Sequence, residues 1–140
     1  MAHHQSRPLF VEKEFTVRTY DIDFAGHVSN IVYIRWLEDL RFLLLETHFP
    51  LQQQMEQGYA PILTRTNIQY RRAIKLFEPV KGRMWVQSVG GAKTILAAQI
   101  VVADEICADV VQEGVFADLS TGRPIRIPEG LRGIFDNWRE

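Results

Sequence analysis

Apolar residues follow two different periods along this chain. Between Val28 and Glu46, Tyr33, Trp36, Leu37, Leu40, Leu43 and Leu44 recur at three- and four-residue spacing. That repeat predicts one helix of about five turns. Arg35, Glu38, Asp39 and Arg41 mark a narrower wet side, so the helix should be enclosed over most of its girth. Ser29 or Asn30 can cap its start, because either side chain accepts from a free backbone N–H. Pro50 lies just past its end, and residues Leu51 to Gln57 read as a short helix closed by Gly58.

Elsewhere the period is two. Val11 to Tyr20 reads as a first strand. In ILTRTNIQY, Ile62, Thr64, Thr66, Ile68 and Tyr70 fall on one face and Arg65, Asn67 and Gln69 on the other. VKGRMWVQ sets Val80, Gly82, Met84 and Val86 opposite Lys81, Arg83, Trp85 and Gln87. Gly90-Gly91 turns the chain into KTILAAQIVVA, Asp104-Glu105 turns it into ICADVVQEGVFADL, and Thr121-Gly122 ends that strand. Short turns make the last three strands antiparallel. Pro128 can open a C-terminal helix within residues 127–138, and residues 1–9, with His3 and His4, are expected to be a mobile terminus.

The order is therefore strand, long helix, then four strands read as a meander. One antiparallel sheet needs one face covered, and only the long helix is large enough to cover it. The expectation is an α+β single domain over residues 1–140. A five- to six-stranded antiparallel sheet wraps one long central helix, which is the hotdog arrangement.

Composition narrows the function classes. The 140 residues are 46% hydrophobic and 24% charged, enough for one core without a metal or disulfide staple. A net charge of −1 argues against a dominant nucleic-acid or membrane-surface role. No run approaches the ~18 apolar residues of a membrane span. The one cysteine, Cys107, sits in a strand-like run, reads as a small core residue and suits a reducing, cytoplasmic compartment.

The chemistry concentrates in YDIDFAGHVSN, immediately before the long helix. An EF-hand loop fails here, since Ala25 and Val32 occupy positions that need oxygen ligands. Asp21, Asp23 and His27 could ligate a transition metal, but no second ligand cluster accompanies them, and no metal is expected. Asp, Asn and Gly also cap helices and shape turns, the reading that suits Asp21. A third reading is catalytic. The start of a buried helix presents free N–H groups and a positive dipole end that stabilise an oxyanion. A carboxylate just ahead of it can attack a carbonyl or activate water.

YDIDFAGHVSNIVYIRWLEDLR resembles the signature of the 4-hydroxybenzoyl-CoA thioesterase branch of hotdog thioesterases. Asp23, Gly26 and Tyr33 fall on its Asp, Gly and Tyr positions without a gap. The His27-Val28-x-Asn30 portion is also similar to plant-type acyl-acyl-carrier-protein thioesterases, which place a His after the same Asp. Those enzymes carry Asn where this chain has Ala25, which leaves a catalytic His27 and the carrier-protein assignment open. The resemblance implies hydrolysis of an acyl-CoA thioester, with Asp23 as nucleophile or general base and the Asn30 amide aimed at the carbonyl. It implies Gly26 and Tyr33 near the acyl group, although an aromatic such as Tyr33 on a buried helix is also simply core. It implies no cofactor beyond the coenzyme A of the substrate, and a homodimer or tetramer. Arg71, Arg72 and Lys75 in YRRAIK follow the second strand, where relatives hold the nucleotide phosphates; a solvated charged loop is the rival reading. Two other classes stay in view: a hotdog hydratase or dehydratase using an Asp–His pair, and a non-catalytic acyl-thioester binder.

Overall fold

The computed structural model of the protein describes residues 7–139. The expected mobile terminus lies outside the described residues as far as residue 6, His3 and His4 included. From Arg7 onward the expectation is corrected. Leu9 is fully buried, the Pro8 carbonyl accepts the Val86 N–H at 2.9 Å, and the Arg7 guanidinium sits 4.3 Å from the Trp85 ring centroid. A buried leucine and a main-chain bond tie this segment to the sheet.

Strand β1 (Val11–Phe15) is followed by the long helix α1 (Asn30–His48) and the short α2 (Leu51–Glu56). Strands β2 (Tyr59–Tyr70), β3 (Val80–Val89), β4 (Lys93–Val102) and β5 (Glu105–Asp118) follow, then the two-residue β6 (Pro124–Ile125) and helix α3 (Glu129–Arg139). The first strand is shorter than its pattern suggests. Asp21 Oδ2 accepts the Arg18 N–H at 2.8 Å and the Asp21 N–H donates to the Arg18 carbonyl. This local exchange turns Thr19–Asp21 into one turn of 3-10 helix instead of extended chain.

All strand pairs are antiparallel, in the order β1-β3-β4-β5-β2, with β6 on β5. Only β3, β4 and β5 form the expected meander. The second strand is displaced to the far side of β5, because residues 71–79 between β2 and β3 cross over instead of turning back. The β4–β5 turn is also one residue earlier than read: Ala103 and Asp104 both have positive φ (49° and 68°), the two-residue connection that matches strand twist. In β2 a bulge between Leu63 and Arg65 breaks the strict alternation, so Ile62 leaves the face it was assigned and is exposed. In β3 the alternation holds, with Val80, Gly82, Met84 and Val86 buried.

The sheet wraps α1, the hotdog fold. Val32, Tyr33, Trp36, Leu37, Leu40 and Leu44 are the buried face of the helix, and Trp36 stacks on Phe15 of β1 at 5.3 Å. Helix and sheet come close at Gly82 of β3. A Cβ there would lie 2.7 Å from Leu40 Cδ1 and 2.8 Å from Phe15 Cε2. A side chain at that point would have to displace the ends of both side chains. No helix among the described residues is long and apolar enough to cross a membrane.

Candidate active site

The loop from Ile22 to Ser29 is fixed by its own main chain. Ile22 and Val28 form an isolated antiparallel bridge. The Asp23 N–H donates to the His27 carbonyl at 2.9 Å, and the Gly26 N–H donates to the Asp23 carbonyl at 3.0 Å. Gly26 takes φ +79°, a conformation glycine adopts without penalty. Two further amides anchor the loop from outside: Val28 N–H donates to the Ile74 carbonyl and Ser29 N–H to the Asp21 carbonyl, both at 2.8 Å. Ser29 is the N-cap, its Oγ accepting the Ile31 N–H at 3.4 Å. Asp21 thus supports the helix start and is buried, as its structural reading expects.

These bonds decide what is left for chemistry. Of the amides at residues 28–30, two are engaged. Among the described residues the Asn30 N–H has no partner, and it stands at the positive end of α1. Asp23 Oδ1 accepts the Ala25 N–H at 2.9 Å and the His27 N–H at 3.3 Å. Its Oδ2 carries no bond among the described residues. Asp23, His27, Asn30, Tyr33, Tyr70 and Arg71 line one cavity of about 200 Å³.

The His27 imidazole makes no ion pair with Asp23 among the described residues. The two residues meet through main-chain N–H and C=O groups instead. Tyr33 is buried, with its ring edge-on to Tyr70 at 5.0 Å and to Trp36 at 5.6 Å. Burial, reinforced by Cys107 and Tyr70, raises its phenol to about pKa 12, so it stays neutral. Tyr33 is therefore both core and cavity wall. Tyr70 was missed as a site residue in the sequence. It closes the cavity from β2 and its hydroxyl lies 3.5 Å from the Asn30 carbonyl. Its position as the last residue of a period-two strand, directly before Arg71 and Arg72, was the available signal.

The three basic candidates separate. Arg72 lines the cavity, but its guanidinium is bidentate on Glu78 (3.2 and 2.6 Å), pairs with Glu105 at 3.2 Å and lies 3.6 Å from Cys107 Sγ. Glu78 also accepts the Lys75 N–H at 2.8 Å. The Arg72 guanidinium, aided by that amide, holds the Glu78 carboxyl below the usual range. This clamp shapes the crossover. Arg71 pairs with Asp109 at 2.5 Å. Lys75 is exposed and has no ion pair among the described residues. Cys107 is fully buried, and burial pushes its thiol up, against the opposing pull of Arg72; it is a core residue. No group of three His, Cys, Asp or Glu side chains among the described residues is placed to hold a metal ion.

With a carboxylate and a free helix-start amide on one small cavity, the chain also matches the family model of the thioesterase-like superfamily, over residues 17–135. The chain belongs to that superfamily. This thioesterase is 28% identical over 124 residues to the long-chain acyl-CoA thioesterase FadM of Escherichia coli (strain K12), spanning 87% of the chain and 94% of the relative. Among solved structures it superimposes on YbaW, a probable thioesterase from Escherichia coli, with TM-score 0.82 and 26% identity, covering 92% of this chain and 98% of that one. A thioesterase from Thermus thermophilus, complexed with coenzyme A and Zn, shares the fold at TM-score 0.80 and 24% identity, with 96% of each chain covered.

Proposed function

We propose that this hotdog thioesterase hydrolyses acyl-CoA thioesters in the cavity between Asp23 and the start of α1. One observation carries the reading. Asp23 has one carboxylate oxygen fixed by two amides and the other unbonded, on the same cavity as the unbonded Asn30 N–H.

With the thioester carbonyl oxygen at that N–H, the carbonyl carbon is polarised and faces the carboxylate. Asp23 either removes a proton from a water that attacks the carbon, or attacks the carbon itself to give an anhydride that water then opens. In both routes the negative charge that develops on the carbonyl oxygen receives the Asn30 amide and the helix dipole. In the first route the C–S bond breaks as the adduct with water collapses; in the second it breaks as the anhydride forms, before water opens it. Either way the coenzyme A sulfur leaves as thiolate and takes up a proton, and the acid is released. No cofactor is required, and His27 acts through its backbone. Tyr33 and Tyr70 flank the acyl group next to the carbonyl.

With Arg71 and Arg72 already paired, Lys75 is the basic residue free to meet a nucleotide phosphate. Self-association as a homodimer or tetramer belongs to the same reading. It is supported by the twelve-residue strand β2, whose outer edge has no partner among the described residues, and by exposed Ile31, Ile34 and Ile62 nearby. A cytoplasmic location is supported by the lone buried thiol. The test is thiol release across a panel of acyl-CoA and acyl-carrier-protein thioesters. Turnover of coenzyme A esters is expected, and the absence of thiol release from every member would overturn the reading.

A further inference from the structure

The crossover between β2 and β3 meets the Asp23 loop at one atom. Ile74 is fully buried, and its carbonyl accepts the Val28 N–H at 2.8 Å. Val28 lies between Asp23 and Asn30 in the chain and borders the same cavity. It also pairs with Ile22, directly before Asp23, in the bridge that closes the loop. A shift of Val28 therefore moves the carboxylate that precedes it relative to the free N–H that follows it.

Residues 71–79 form neither helix nor strand, so no regular ladder fixes where the Ile74 carbonyl points. Glu78 does this instead. Its carboxylate accepts two bonds from the Arg72 guanidinium, at 3.2 and 2.6 Å, and the Lys75 N–H at 2.8 Å. Arg72 is itself anchored: its N–H donates to the Cys107 carbonyl of β5 at 3.1 Å, and its Nη1 donates to the Ala73 carbonyl at 3.3 Å. One side chain thus joins the residue two before Ile74 to the residue just after it. The backbone between them is closed into a loop that presents its carbonyl to Val28. The bonds are charge-assisted, and both side chains are partly shielded from water, which makes the closure stiffer than a surface ion pair.

We infer that Glu78 is a positioning residue for the hydrolysis proposed above, on which the inference rests. By holding Arg72 and the Lys75 amide together it sets the Ile74 carbonyl, and through Val28 the placement of the Asp23 carboxylate against the Asn30 N–H. Glu78 does not line the Asp23 cavity, so its loss should tell on the chemical step and not on binding.

The test measures kcat and KM by thiol release, for the coenzyme A ester that the wild type turns over fastest. Each variant is assayed well below its own thermal midpoint. A purely stabilising side chain would lower the midpoint and leave kcat below it unchanged. Glu78→Ala should instead lower kcat by about tenfold or more, with KM within about twofold of wild type. Glu78→Gln keeps an oxygen for the Lys75 amide and loses one of the two bonds to Arg72. It should show the same pattern at smaller size, and it carries the test if Glu78→Ala fails to fold. Glu105→Gln removes the other carboxylate partner of Arg72 without touching the Lys75 amide, and should keep kcat near wild type. Unchanged kcat in the folded Glu78 variants, a raised KM with unchanged kcat, or an equal loss of kcat in Glu105→Gln would overturn the inference while leaving thioester hydrolysis standing. No thiol release from any ester by the wild type would overturn the hydrolase reading itself.

Discussion

Asp23 Oδ1 accepts the backbone N–H of His27 at 3.3 Å, while the His27 carbonyl accepts the Asp23 N–H at 2.9 Å. The carboxylate is thus oriented by the main chain of the residue whose ring would be its obvious catalytic partner. Two expectations follow, one for each side chain.

Asp23→Asn keeps an oxygen that can accept from Ala25 and His27, so the loop should hold and the thermal midpoint should stay close to wild type. The substituted residue can neither attack nor remove a proton. Turnover measured by thiol release should fall at least about a hundredfold. Full activity in this variant would remove Asp23 from the mechanism.

His27→Ala retains every main-chain bond of the loop. Its loss in kcat should stay well below the roughly hundredfold scale of a positioned acid–base group. Neither protein should hydrate an enoyl-CoA, which is read as loss of conjugated-enone absorbance without thiol release. Hydration abolished by His27→Ala would place the protein among the lyases.

Gly82→Ala tests the packing of helix on sheet. The added methyl lands under 3 Å from the ends of the Leu40 and Phe15 side chains, both of which must shift to admit it. Overpacking of this kind costs about 1–3 kcal/mol, which should appear as a lower urea midpoint with an unchanged slope.

The Arg72–Glu78 clamp makes stability depend on pH on the acid side. The folded-state pKa of Glu78 is lowered by Arg72, so its contribution is fully present above the ordinary Glu value of about 4.3. It is lost as pH falls through the lower folded value. Glu78→Gln should flatten the acid limb of a stability-versus-pH curve and leave the limb above neutrality unchanged. An acid limb identical to wild type would mean that the pair contributes nothing.

Much of the architecture was readable because period and length agree. The α1 pattern is long, amphipathic and capped by Ser29, and β3 and β5 alternate cleanly against one covered face. The position of β2 was not readable. Nothing local in residues 71–79 distinguishes a crossover from a wide turn, and the decision rests on pairing with β5, which lies far along the chain. The bulge at Thr64 escaped for the same reason, since alternation reports on faces only while the register is unbroken. At the site, Asp23 and Gly26 stand out because the loop's main-chain geometry needs those residue types, whereas Asn30 contributes a backbone N–H at the helix start that its side chain does not announce. The neutralised charges of Arg71 and Arg72 do not, because Asp109, Glu78 and Glu105 come from strand and crossover positions that only folding brings near.

The single bond from the Val28 amide to the Ile74 carbonyl joins the segment that carries the carboxylate to the strip of chain passing from one side of the sheet to the other. A chimaera that borrows residues 20–30 from a relative keeps that anchor wherever the host's residues 71–79 hold the same path, because both partners are main-chain groups.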